Sequence, residues 1–300
     1  MIRIVEVGPR DGLQNEKSII PTEDKFKFVS MLSDTGLKTI EVTSFVKAPA
    51  IPQMTDAVEL FEKVKNELSG NGITYPCLVP NMKGYETAKN SGVKEIALFT
   101  ATSDSFTKKN INATVDESFE RMKEVSAAAN QDGVRIRGYI STAFGCPYEG
   151  DMDVKKLISV TKRLFELGVY EVSVGDTIGV AKPLQVRAFL RALKSEFPVG
   201  KLAMHFHDTR GMALTNIYAS LEEGITTFDS SAGGLGGCPY AKGATGNVAT
   251  EDVWYLLHSQ GLETGIDIQK LSEASIFILG KLNRKTESKF LKAYISTGKV

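Results

Sequence analysis

Net charge is missing from this sequence. Lys plus Arg and Asp plus Glu each number 36 in 300 residues, so no broad basic field exists to hold nucleic acid or an anionic membrane. Any anion site must be local. Cysteine is scarce too: Cys77, Cys146 and Cys238 are odd in number, far apart and without a CxxC pair. That excludes a disulfide framework and a structural zinc site, and it fits a reducing compartment. No apolar run approaches the roughly 20 residues of a membrane span. The opening MIRIVEV has neither a basic leader nor a long apolar stretch behind it. The expectation is a soluble, cytoplasmic protein with no nucleic-acid or membrane partner. Linkers, low-complexity tracts and long charge runs are absent as well, so nothing divides the chain into separate folding units.

What is present is alternation. Short β-branched runs at 3–7, 39–44, 73–79, 95–100, 134–142, 170–176, 201–207 and 225–231 alternate with amphipathic stretches such as 22–34, 54–69, 114–132, 153–167, 184–196 and 212–223. Gly36, Gly92, Gly133, Gly168 and Gly224 stand just before the next run, the usual place of a helix C-terminal glycine. Eight strands, each followed by a helix, is the arithmetic of a (β/α)8 TIM barrel. The barrel is expected over 1–265, with a C-terminal helical extension over 266–300 packing near its mouth. A doubly wound open sheet would carry a glycine-rich turn after its first strand, and GPRDGLQNE is not one.

Histidine is as scarce as cysteine, with three in the chain, and two of them stand one residue apart in HFHDTRG. On a strand, positions i and i+2 share a face, so His205 and His207 project together. They read as half a metal site or as two polar residues on a solvated face. In a barrel of this kind the chemistry sits at the C-terminal ends of the strands. That rim collects Arg10 and Asp11 after the first strand, Glu41, Thr43 and Ser44 on the second, and Arg137 and Tyr139 on the fifth. It continues with Asp176 on the sixth, His205, His207 and Asp208 on the seventh, and GGLGGCPYAKGATGN after the eighth. Hard donors such as Asp11 and Asn247 beside the imidazoles point to Mg2+ or Mn2+.

Several residues keep two readings. Arg10–Asp11 fits a surface ion pair, or a metal ligand beside an oxyanion clamp. Cys238 lies in a glycine-rich loop and Cys146 in GCPY. Either could be a reactive thiol or a small buried hydrophobe, and spacing does not choose between them. GGLGG fails GxGxxG and lacks a P-loop lysine, so it reads as a flexible lid. Glu251 and Asp252 open the eighth helix, where the helix dipole favours acids whatever the function. Asp176 and Glu41 fit catalysis and support of Arg10 or the metal equally well.

Taken together, EVGPRDGLQNE, VTSF (42–45), SVGDTIG, HFHDTRG and GGLGGCPYAKGATGN resemble the 3-hydroxy-3-methylglutaryl-CoA (HMG-CoA) lyase family, from Val5 to about Lys285. HxH with a leading RD is shared with a wider superfamily of metal-dependent TIM barrels, including isopropylmalate and homocitrate synthases and 4-hydroxy-2-oxovalerate aldolases. The cysteine loop is more specific to the lyases. The resemblance implies cleavage of (S)-HMG-CoA to acetyl-CoA and acetoacetate, in leucine degradation or ketone-body metabolism. It implies Asp11, His205, His207 and Asn247 as ligands of Mg2+ or Mn2+, with Asp11 and His205 also candidates for proton transfer. Arg10 matches the residue that stabilises the acetyl-CoA enolate, and Cys238 the catalytic loop cysteine. Glu41 and Asp176 match acidic residues of the active site, Glu251 a support of the cysteine loop, and Asn283 and Lys285 a patch near the CoA moiety. A small-molecule acyl-CoA substrate and a homodimer complete the expectation. Two alternatives remain: a condensing enzyme or aldolase acting on a 2-oxo acid with the same metal, and a catalytically dead barrel used as a binding module.

Overall fold

The computed structural model describes residues 1–46, 51–237 and 246–297. Its strands are β1 (Arg3–Glu6), β2 (Thr39–Ile40), β3 (Thr43–Ser44), β4 (Cys77–Leu78), β5 (Glu95–Ala101), β6 (Arg135–Ser141), β7 (Gly145–Cys146), β8 (Gly150–Asp151), β9 (Glu171–Asp176), β10 (Leu202–Phe206) and β11 (Thr227–Ser230). Its helices are α1 (Thr22–Ser33), α2 (Ala57–Leu68), α3 (Met82–Ser91), α4 (Asp104–Ile111), α5 (Val115–Gln131), α6 (Val154–Glu166), α7 (Pro183–Lys194), α8 (Ala213–Glu222), α9 (Thr250–Ser259), α10 (Ile268–Leu282) and α11 (Lys289–Thr297).

The main sheet runs β2-β1-β11-β10-β9-β6-β5-β4-β3, all parallel, and its two ends belong to one run of chain. β2 pairs with β1 through Val5↔Thr39, while β3 pairs with β4 through Thr43↔Cys77. Between them Glu41 N donates to Glu6 O at 2.8 Å and Val42 N to Pro76 O at 3.0 Å. The segment 39–44 is therefore bonded on both sides, and the sheet closes into the expected eight-stranded TIM barrel. β7 and β8 form a separate antiparallel hairpin after β6.

The helices cover the barrel because their apolar residues recur at helical spacing. On α6, Leu157, Val160, Thr161 and Leu164 are buried at intervals of three and four. α4 was not expected. It is short and polar, burying only Phe106 and Thr107, and so carries no apolar stripe that a sequence pattern can show. Ser103 starts it by accepting from Phe106 N at 3.1 Å. α2 begins at Ala57 because Pro52–Met54 first make a 3-10 turn.

Register fixes which strand residues face inward. Arg137 pairs with Glu171, Tyr139 with Ser173, Ser173 with Ala203 and His205 with Asp229. Registered neighbours of a parallel sheet share a face, so Arg137, Tyr139, Glu171, Ser173, His205 and Asp229 lie on one side of it. Their hydrogen bonds to one another place that side inside the barrel. The interior that apolar residues fill in most TIM barrels is here a polar layer.

After the barrel, α10 packs on α1 and α9, and α11 on α9. The segment between α10 and α11 folds over the chain leaving β11: Thr286 Oγ1 donates to Gly233 O at 3.1 Å and Arg284 to Gly236 O at 3.3 Å. Among the described residues no helix is long and apolar enough to cross a membrane.

Gly36 ends α1 at φ +94°, and a Cβ there would run into Gly265 O. Gly72, at φ +76°, has open space instead. Gly36→Ala should cost about 3 kcal/mol and Gly72→Ala about 1 kcal/mol, read from denaturant midpoints.

Candidate active site

Asp11 reaches the barrel mouth on a single π-turn, Gly8–Gly12, closed by Gly12 N donating to Val7 O at 3.1 Å. Such wide turns recur at functional sites. The turn places the Asp11 carboxylate beside the imidazoles of His205, on β10, and His207, just past it. Their ligand atoms lie within 4.8 Å of one another. The two rings are 5.3 Å apart between centroids, on one face as the HxH spacing requires. Asn247 joins from the other side. It forms a bridge with His207, and its Nδ2 donates to Asp11 Oδ2 at 2.8 Å and to Leu235 O at 3.2 Å.

The imidazoles differ. His205 Nδ1 faces Asp229 Oδ2 at 3.3 Å, which leaves Nε2 as its outward donor atom. Burial lowers the affinity of His205 for a proton, but Asp229 and Asp11 outweigh burial and raise its pKa. His207 has Asp11 nearby but no counterpart of Asp229. Burial, with the charge of His205 added, holds it down at about 3. Its Nδ1 and the Oδ1 of Asn247 are buried and have no hydrogen-bond partner among the described residues. Two orphaned acceptors, a carboxylate and a second imidazole nitrogen form a donor set that suits a divalent cation.

Arg10 stands next to this cluster, and its neighbours fix it in place. Nε and Nη2 donate to the two oxygens of Glu41 at 3.0 Å each, and Nη1 donates to Asp11. A bidentate pair fixes the plane of the guanidinium as well as its position. Burial opposes the charge on Arg10, but Glu41 and Asp11 outweigh it and keep the group firmly protonated. Arg10 is 6 % exposed, so the surface ion-pair reading is ruled out.

Behind both arms lies Arg137. It donates to Glu171 Oε1 at 2.8 Å, to the Tyr139 hydroxyl at 2.7 Å and to Asp229 Oδ1 at 2.8 Å. Tyr139 in turn donates to Glu41 Oε2 at 2.7 Å, and Ser173 to Asp229 Oδ2 at 2.6 Å. One hydrogen-bonded chain thus runs from His205 through Asp229, Arg137, Tyr139 and Glu41 to Arg10. Burial pushes Asp229 up, but Arg137 and His205 more than offset it, leaving the carboxyl well below the ordinary range. Asp229 escaped the sequence reading; the signal was an acid inside the otherwise buried strand TFDS.

The other expected residues lie at varying removes. Asp176 spends both oxygens on its own loop, accepting from Val180 N at 2.9 Å and Ala181 N at 3.0 Å. It orders the turn beside His207. Asp208 accepts from Ala213 N at 3.0 Å at the start of α8. Glu251 is fully buried and grips Gly233 N with both oxygens, at 2.9 and 3.0 Å. Asn283 ends α10 and, with Lys285, lines an open cleft of about 490 Å3 that Asn15, Lys17, Ser18 and Gly236 also border. Cys238 lies outside the described residues. Its competitor Cys146 is buried, with Sγ 3.0 Å from Ser103 Oγ and packed among Ala101, Phe106 and Met152, so that thiol is not offered to the site.

Comparison with known proteins places the chain in a family. The HMGL-like family matches residues 1–278. The mitochondrial hydroxymethylglutaryl-CoA lyase of Gallus gallus is 49% identical over 292 residues, covering 97% of each chain. The crystal structure of hydroxymethylglutaryl-CoA lyase from Pseudomonas aeruginosa superposes with a TM-score of 0.95 at 51% identity, covering 98% of this chain and 97% of that one. An HMG-CoA lyase from Acinetobacter baumannii, solved with coenzyme A and 3-methylmalate, gives 0.92 at 35% identity over 98% and 95% of the two chains.

Asp229→Asn should weaken binding of Mn2+ by about 10–100-fold in a calorimetric titration, since it frees His205 and leaves Arg137 short of a counter-charge. The His207 pKa sets a pH trend in the metal-free protein. The unfolded chain takes up a proton near pH 6.5 that the folded state refuses down to about 3, so this residue's contribution is lost as pH falls. His207→Asn should therefore gain stability relative to wild type by about 2 kcal/mol between pH 7 and 5, read from paired denaturant curves.

Proposed function

We propose that this chain, which belongs to the HMGL-like family, cleaves 3-hydroxy-3-methylglutaryl-CoA into acetyl-CoA and acetoacetate. It is a carbon–carbon lyase. The observation that carries the reading is the placement of a rigid, permanently charged guanidinium, Arg10, directly beside the Asp11–His205–His207 cluster. The cleavage needs those two things together: a group that takes charge from a tertiary alcohol, and a cation fixed where the enolate forms.

In this reading Asp11, His205, His207 and Asn247 hold Mg2+ or Mn2+. When bound there, the cation would supply Lewis acidity toward the C3 hydroxyl and positive charge for the substrate carboxylate. The protein's own residues do the rest. The bases available for the hydroxyl proton are Asp11 and His205. Arg10, clamped by Glu41, faces the thioester oxygen as negative charge develops there and requires no reorganisation. Cys238 returns a proton to C2 of the enolate, in a segment whose start Glu251 anchors through Gly233. Asp176 orders the turn beside His207. The cleft with Asn283 and Lys285 receives the CoA moiety, and the matching lyase from Acinetobacter baumannii was solved with coenzyme A. Residues 266–300 form an extension of the barrel over 1–265 that completes this cleft.

The charge balance supports an anionic substrate. Arg3, Arg10 and Arg137 face Asp11, Glu41, Glu171 and Asp229, one negative charge in excess. A divalent cation turns that into one positive charge, suited to a single carboxylate. The free, buried thiols Cys77 and Cys146 suit a reducing cytoplasm. A homodimer, the commonest closed assembly among soluble oligomers, belongs to the same reading.

The test is formation of acetoacetate and acetyl-CoA from HMG-CoA with Mg2+, with chelator, and with the ion restored. Metal-dependent cleavage is expected. CoA release from acetyl-CoA and a 2-oxo acid, without cleavage, would instead mark a condensing enzyme. Cys238→Ser should lower kcat by about 100-fold or more while KM stays within about threefold, and an unchanged kcat would remove Cys238 from the reaction.

A further inference from the structure

Glu6 is buried at the end of β1 and plays no part in the reaction described above. Pleating turns it away from the barrel interior, to the side opposite Val5 and Asp229. There its carboxyl accepts from three donors on three separate segments. Oε1 takes Gly8 N at 2.8 Å and Ala232 N at 2.9 Å, and Oε2 takes Thr250 Oγ1 at 2.6 Å. Thr250 opens α9, and its hydroxyl also contacts Ser230 Oγ at 2.8 Å. No cation pairs with Glu6 among the described residues, and burial pushes its pKa up to about 7. An unpaired buried acid is costly, and an apolar side chain would avoid that cost. It would also orphan two buried backbone N–H groups, one on each side of the site.

Those two N–H groups lie on the segments that carry the candidate ligands. Gly8 opens the turn that holds Arg10 and Asp11. Ala232 opens the segment reaching Leu235, whose carbonyl accepts from Asn247, which itself bonds Asp11. The two segments pack without slack: a Cβ on Gly12 would sit 2.8 Å from Leu235 Cβ, and one on Gly236 2.8 Å from Asn247 Nδ2. The separation of Asp11 from Asn247 therefore depends on how these segments are pinned together beneath.

We infer that Glu6 is a positioning residue that pins the Gly8–Gly12 turn to the Ala232–Leu235 segment and so sets the Asp11–Asn247 geometry of the cation site. The inference rests on the reading of Asp11 and Asn247 as ligands. It does not require that HMG-CoA be the substrate.

The test is titration of the full-length protein with Mn2+ alone, followed calorimetrically, beside steady-state kinetics and thermal melts. Glu6→Ala should weaken Mn2+ binding about tenfold or more and lower kcat, with KM for the thioester within about threefold because Glu6 makes no hydrogen bond to Asn283 or Lys285. Glu6→Gln should restore most of both. Its Oε1 can keep the two N–H bonds while Nε2 donates to Thr250, whose hydroxyl then turns to Ser230. A folded Glu6→Ala protein with Mn2+ affinity within twofold of wild type overturns the inference, whatever its melting temperature. Where Glu6→Ala does not fold, Gly8→Ala decides. Its Cβ would press on Glu6 Oε1 from 2.6 Å, and the same loss of Mn2+ affinity is expected. Unchanged affinity there also overturns the inference. A wild type that binds Mn2+ but cleaves no HMG-CoA would end the proposed reaction and leave the Mn2+ comparison to judge Glu6.

Discussion

Arg137 is fully buried with its guanidinium bonded to Glu171, Tyr139 and Asp229, and the placement of both arms of the site follows from that group. Burying a guanidinium removes its hydration, and only well-directed partners offset the loss. The planar fork dictates those directions. Asp229 lies along one of them and fixes His205. Tyr139 lies along another and, through Glu41, fixes Arg10. Two groups that reach the mouth from the first and the seventh barrel strands are held in one frame because they share a buried charge that tolerates little displacement. The rings and charges reinforce this, since both guanidinium carbons lie within 6 Å of the Tyr139 ring centroid, at 5.5 and 4.9 Å.

A second consequence is the unequal treatment of the two histidines. They occupy equivalent positions in the strand pattern, one residue apart. His205 has a carboxylate behind it and is the more basic; His207 has none and stays neutral. A neutral imidazole with an orphaned nitrogen is ready to ligate without first losing a proton. Strand spacing made them a pair, and their neighbours on β11 and after β10 made them different.

Much of this was legible along the chain. The alternation of β-branched runs with amphipathic stretches located every barrel strand, because period two and period 3.6 are properties of a segment alone. All five glycines taken as helix ends do adopt positive φ, which L side chains resist. The HxH spacing marked one part of the site because i and i+2 on a strand must share a face, and the RD turn another because it follows the C-terminal end of a barrel strand. Less legible were α4, with no apolar stripe, and the roles of Glu6 and Asp229. An isolated acid in a strand looks alike whether it faces solvent, a guanidinium or three backbone donors. Cys146 could not be separated from Cys238 by spacing, and its burial beside Ser103 withdrew it from the site.

By itself, then, the sequence determined the elements, their order and which residues share a face, since local periodicity and turn chemistry are read over a few neighbours. The tertiary structure decided which faces meet. Pairing of neighbouring strands sets Glu41 of the second strand beside Arg10 of the first and Asp229 of the eighth beside His205 of the seventh, and barrel closure brings Arg137 of the fifth between them. Pairings across 24 to 98 positions of chain depend on how the strands assemble, and burial then sets the charge each group carries.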